Sequence, residues 1–190
     1  MDALELLTAD HNRVRGLFKR FKGAEERDDA ATKAEVVAKI VEDLTVHTTI
    51  EEEIFYPAVT DLDDEVHDLV TEGIEEHRVA KDLLEQVKGL DADDEEWTAK
   101  VKVLIENVEH HAEEEENEMF PKIRSAMASD ARDELGQRLE ARKKELGAPT
   151  TDDAIDLTKE ELLAKAKEQE IPGRSTMSTD ELAATVDPRS

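Results

Sequence analysis

The chain has 190 residues, 25 Lys and Arg against 50 Asp and Glu, a formal net charge of −25 and no Cys. Without cysteine there are no disulfides, thiolate metal sites, Fe–S clusters or cysteine nucleophiles, and so negative a field opposes nonspecific binding to nucleic acid or anionic lipid. Hydrophobic residues make up 38%, enough for a packed core; the start, Met1 to Glu5, lacks a basic leader, and no stretch approaches the roughly 18–20 apolar residues of a membrane span, so a cytoplasmic protein with no membrane partner is expected.

Sustained period-2 alternation is absent, and helical spacing dominates. In chain order, four apolar seams follow a 3–4 spacing. The first runs Leu4, Leu7, His11, Val14, Phe18, Phe21; the second Val37, Ile40, Leu44, His47, Glu51, Ile54. The third runs Val66, Val70, Gly73, His77, Ala80, Leu84, Val87, and the fourth Trp97, Val101, Leu104, Val108, His111, Glu115, with Met119 beyond. Gly23 and the acidic stretch 25–29 punctuate the first pair, Gly89 reads as a C-cap, and Pro57 and Pro121 are placed at or just past helix ends. Four long amphipathic helices with short connections predict an all-α, antiparallel up-down four-helix bundle. A fifth helix is expected over about 130–146, closing at Gly147, so that residues 1–147 form the bundle with its extra helix. Residues 148–156 read as a polar linker. Residues 157–190 read as a small helix–extended loop–helix tail, its two helices opened by the capping-box pairs Thr158/Glu161 and Ser178/Glu181.

The anomaly lies in what occupies the seams. Buried His and Glu are costly unless paired or metal-bound. Each seam carries a His near its middle, and two carry a Glu four residues later, on the same helix face. Four imidazoles and two carboxylates at one level of a bundle make a ligand set for two metal ions, the carboxylates bridging and the imidazoles terminal. An internal repeat agrees: His47 to Pro57 recurs 64 residues later as His111 to Pro121, and His11 has a looser counterpart in His77. His67 and His110 neighbour seam positions and point roughly 100° away. Arg13, Arg15, Arg78 and Lys81 read as balancing the acidity, Phe18 and Trp97 as core. A purely structural bundle would need all six polar seam residues to be coincidental. Imidazole with carboxylate suits iron, manganese and zinc alike.

These residues resemble the hemerythrin-like HHE cation-binding domains over residues 1 to about 125. The pattern is Asp10-His11, His47-x-x-x-Glu51 ending in Tyr56-Pro57, Glu76-His77-Arg78, and His111-x-x-x-Glu115 ending in Phe120-Pro121. The resemblance implies two non-haem Fe ions, ahead of Mn or Zn, with His11, His47, His77 and His111 as terminal ligands and Glu51 and Glu115 as bridges beside an oxo, hydroxo or water bridge. Oxygen-carrying hemerythrins place another His four residues before the third-helix ligand; here that position is Gly73, which would line an open position for solvent, Glu72, Glu76 or a substrate. The implied function is binding of O2, peroxide or nitric oxide for sensing, storage or detoxification, with catalase-like or nitric-oxide-processing activity as the enzyme variant. The alternative is an iron-responsive sensor without catalysis. The tail is similar to SAP-like and Rho N-terminal-like motifs, which bind nucleic acid, but residues 149–190 hold five Lys and Arg against ten Asp and Glu, and a structural or docking role is preferred.

Overall fold

A computed structural model describes residues 1–148, 159–169, 171–177, 182 and 185–186. Among them every regular element is helical, and no helix is long and apolar enough to cross a membrane. Helix α1 spans Ala3–Glu26 and α2 Ala30–Ile50; α3 is Tyr56–Val59, α4 Asp64–Lys88, α5 Glu95–Glu114, α6 Phe120–Ala126, α7 Ser129–Glu145 and α8 Lys159–Glu168. Helix α1 packs along α2 and α4 along α5, with α1 also touching α5, and α2 touching α4.

Local chemistry sets several starts. Asp2 accepts from Leu4 N and its own N–H meets Glu5, a full capping box. Asp29 and Asp63 cap α2 and α4 through Thr32 N and Val66 N. Helix α4 stops at Gly89, and α7 is followed by Gly147 at φ +72, a left-handed conformation that glycine adopts without Cβ strain.

The inward faces match the seams. The buried residues of α4 are Val66, Val70, Gly73, His77, Ala80, Leu84 and Val87, and the apolar residues of the first and fourth seams are likewise buried, as are Val37, Ile40 and Leu44 of the second. The buried apolar residues of α1 to α7 form two clusters. One contains Leu4, Leu7, Ile50, Phe55, Tyr56, Val70, Met119 and Phe120, with Leu135 and Leu139 from α7. The other contains Val14, Phe18, Phe21, Ile40, Leu84, Trp97, Val101 and Leu104. The histidines fall between them in sequence and in space, so the polar layer is enclosed by apolar packing.

Three expectations are corrected. Neither Pro57 nor Pro121 ends a helix: π-helical turns at Glu51–Phe55 and Glu115–Met119 join α2 to α3 and α5 to α6. Each proline sits in the first turn of the following helix, where a missing N–H is tolerated; a π turn upstream shifts the carbonyl that its ring would otherwise strike. Gly23 lies inside α1 rather than between helices. A Cβ there would lie 3.7 Å from Pro172 Cγ, so the tail approaches closely at that point.

The tail residues that are described share a small cluster, Leu162, Ala166, Ile171, Leu182 and Val186. It lies against α1: Arg13 Nη1 donates to the Val186 carbonyl at 3.4 Å, and a Cβ on Gly16 would overlap the Thr185 methyl. The expected linker from residue 149 onward and the capping residues Thr158, Ser178 and Glu181 lie outside the described residues.

Candidate metal centre

The structure brings the six polar seam residues together. One ligand atom each from His11, His47, Glu51 and Glu115 lies within 4.8 Å of the others, and the same holds for Glu51, His77 and His111. All six are buried, with Glu51 at 0% exposure and Glu115 at 2%. The imidazoles pair by hairpin: His11 Nε2 is 3.1 Å from His47 Nε2, and His77 Nε2 is 3.1 Å from His111 Nε2. The carboxylates span the pairs. Glu51 Oε2 lies 3.2 Å from His47 Nε2 and 3.3 Å from His77 Nε2. Glu115 Oε2 lies 3.3 Å from His11 Nε2 and 3.8 Å from His111 Nε2.

The two π turns begin at the carboxylates themselves. A π turn widens the helix by one residue and re-aims the side chains that follow. Glu51 and Glu115 at the start of each turn are buried, and so are Phe55 and Met119 four residues on.

Outside the six residues, the repeat continues in the groups that hold the rings. His11 Nδ1 donates to Glu116 Oε1 at 2.8 Å, and His77 Nδ1 to Glu52 Oε1 at 2.9 Å. In each case the acceptor is the residue after a seam glutamate of the opposite hairpin. Arg15 and Lys81, each four residues past its His, bind these acceptors from outside. His111 Nδ1 donates to Glu76 Oε2 at 2.8 Å, whereas Asp10, in the corresponding place for His47, is 3.8 Å away and is ion-paired with Lys143 of α7. Thus Arg15 and Lys81 do balance acidity, at two specific carboxylates. Arg78 pairs with Glu75 on the surface, and Arg13 with Asp43.

A carboxylate at Nδ1 requires the proton there and leaves the Nε2 lone pair facing inward, the tautomer of a metal-ligating histidine. For His77 and His111 both lone pairs then meet at 3.1 Å, an arrangement that a cation between them relieves. Adjacent ligands about 2.1 Å from a six-coordinate ion are roughly 3.0 Å apart, so the spacing fits. Both oxygens of Glu51 and Oε2 of Glu115 are buried without a hydrogen bond, which is costly for a carboxylate unless a cation takes it up. The donor set therefore fits metal.

Electrostatics agree. Burial, then the charge of Glu115, pushes the Glu51 carboxyl well above the usual range. Burial acts the same way on Glu115, but the positive charge that His111 and His11 carry once protonated outweighs it and holds it low. Burial and the field of His111 press His77 down to about 2, keeping it neutral.

Tyr56 carries no signal in the seam reading beyond its place before Pro57, yet it belongs to the site. Its hydroxyl donates to Glu115 Oε1 at 3.0 Å and lies 3.4 Å from His77 Nε2. It occupies the room beside Gly73, where a Cβ would lie 2.9 Å from the phenol oxygen; Glu76, one of the groups expected to fill that gap, is instead bound to His111. Burial, then Glu115 and Glu51, raises the Tyr56 pKa well above normal, so it stays a donor. A cavity of about 20 Å³ is lined by all four histidines together with Val14, Phe18, Ala80 and Val108 and the polar residues Arg15, Thr48, Glu76 and Asn107.

Residues 2–123 match the family described as the hemerythrin HHE cation binding domain. The chain is also similar to a curated protein, the DNA nickase of Nostoc sp. (strain PCC 7120 / SAG 25.82 / UTEX 2576), with 29% identity over 146 residues. That alignment covers 77% of this chain and 40% of the relative, so the chain spans less than half of that protein's length. No solved structure matches.

Proposed function

The chain belongs to the hemerythrin HHE cation-binding domain family, and on that premise we propose that it is a non-haem di-iron protein that binds O2, peroxide or nitric oxide. His11 and His47 would hold one ion, His77 and His111 the other, with Glu51 and Glu115 bridging; the helices carrying them would form an antiparallel up-down bundle, a reading supported by the α1–α2 and α4–α5 pairing. Two irons there would supply redox-active, Lewis-acidic positions.

The observation that carries the small-ligand reading is the cavity of about 20 Å³ bounded by all four imidazoles. A single water needs about 10–15 Å³, so a two-atom molecule fits and an organic substrate does not. Val14, Phe18, Ala80 and Val108 give it apolar walls that favour a small uncharged guest, while Arg15, Thr48, Glu76, Asn107 and Glu109 line it as well. Tyr56 holds a proton at its phenol oxygen, 3.0 Å from Glu115 Oε1, and does not line that cavity.

The test is optical. Anaerobically reconstituted protein, once oxidised, should absorb in the near-ultraviolet, and peroxide or nitric oxide should shift those bands. Metal-loaded protein that is spectrally indifferent to all three molecules would overturn the oxidant role.

Nucleic acid is a second reading, favoured by the likeness to the Nostoc DNA nickase and by Lys159, Lys165, Lys167 and Arg174 in the tail. A net charge of −25 opposes phosphate approach. Nicking of supercoiled plasmid by the iron-loaded chain would support it.

A further inference from the structure

The two hairpins repeat, but their outer faces differ. At the 64-residue offset, Val46 corresponds to His110 and Ile50 to Glu114. On the first hairpin this face is closed: Val46 and Ile50 are buried in one cluster with Leu135 and Leu139 of α7, and Lys143 neutralises Asp10. On the second hairpin the face is open, with the His110 side chain 61% exposed. A buried apolar pair has been replaced by a pair of metal-ligating type.

His110 Nε2 lies 3.4 Å from Glu114 Oε1 and 3.7 Å from Glu76 Oε1. One ligand atom from each of the three falls within 4.8 Å of the others. Glu72 and Glu118 add negative charge at Glu114, and among the described residues no Lys or Arg ion-pairs with Glu76 or Glu114. Glu76 faces both ways: Oε1 turns to His110, while Oε2 accepts from His111 Nδ1 at 2.8 Å. The same residue lines the cavity beside the four imidazoles.

We propose that Glu76, His110 and Glu114 form a third, solvent-facing site for a divalent transition cation, through which Fe2+ is taken up and passed to the centre behind it. The proposal rests on the dinuclear reading above. One imidazole and two carboxylates suit Fe2+, Mn2+ or Zn2+ better than the all-oxygen sets that calcium takes. Crowded carboxylates without a Lys or Arg partner attract cations from solution and raise their local concentration. Three protein ligands on an open face leave the rest of the coordination sphere to water, so the ion is held weakly enough to move on.

The test compares the metal-free full-length chain with a His110→Val/Glu114→Gln variant. The His110 side chain is 61% exposed, so the variant should keep the wild-type far-ultraviolet circular dichroism. Under anaerobic Fe2+ titration the wild type should bind three equivalents, one of them lost on gel filtration, and the variant two. Loading of those two should be slower in the variant by roughly tenfold or more. A wild type that takes up only two equivalents, or a variant that loads as fast as the wild type, would overturn the proposal. If neither protein binds iron, the dinuclear reading falls and the loading site with it.

Discussion

Tyr56 fills the space that Gly73 leaves: a Cβ on the glycine would lie 2.9 Å from the phenol oxygen and 3.4 Å from His111 Cε1. Gly73→Ala should therefore cost about 1–3 kcal/mol by overpacking, although Ala ordinarily favours a helix over Gly by about 0.5–1 kcal/mol. In the metal-free protein Tyr56→Phe should itself cost about 1–3 kcal/mol, because Glu115 Oε1 loses its donor. The double variant should be more stable than the sum predicts, with a coupling of about 0.5–3 kcal/mol. Urea unfolding of the four metal-free proteins measures it; strict additivity would mean that the phenol can move aside without cost.

Glu116 and Glu52 fix the rings of His11 and His77 through Nδ1. Glu116→Ala or Glu52→Ala should each weaken metal binding by about 10–100-fold. Arg15→Ala, one bond further out at Glu116, should weaken it less. Competition against a chelator of known affinity reads all three. Equal affinities in wild type and both glutamate variants would show that the rings are held by packing alone.

Metal loss should be felt as pH-dependent instability. Burial first, then Glu115, raises the Glu51 carboxyl in the metal-free fold. A group with a raised folded pKa binds its proton more tightly in the folded state, so its contribution is complete below the unfolded value of about 4.5 and is lost as pH climbs through the folded value. Metal-free Glu51→Gln carries no such charge. Its Tm should exceed that of metal-free wild type by a margin that widens from about pH 5 to about pH 8. With iron present the order should reverse, since ligand binding to the folded state adds about 4 kcal/mol at a thousandfold excess over Kd. A margin constant with pH would mean that Glu51 is not the strained group.

The tail contact on α1 is as specific. A Cβ at Gly16 would overlap Thr185, so Gly16→Leu should lift the tail while leaving the six buried residues in place. Trypsin cleavage at Arg174 should accelerate roughly tenfold or more, with metal content unchanged. Unaltered cleavage would mean that the tail is held elsewhere.

Much of this was legible in the sequence because helical period and burial are the same information. The seam of α4 coincides with its buried face, and a His or Glu in such a seam stands out against Leu and Val. The π turns were hidden, since Pro57 and Pro121 look like stops until a widened turn upstream accommodates them. Tyr56 and Lys143 were hidden for another reason. Each acts across the fold, Tyr56 on Glu115 and Lys143 on Asp10, at separations of 59 and 133 residues, where no local spacing carries a signal.

The most direct measurement is elemental analysis of the purified chain beside His47→Ala and Glu115→Ala. About two irons per chain in the wild type, falling in both variants, is the expected result. No bound transition metal, even after anaerobic reconstitution with Fe2+, would contradict the dinuclear centre and leave the four imidazoles as structural groups.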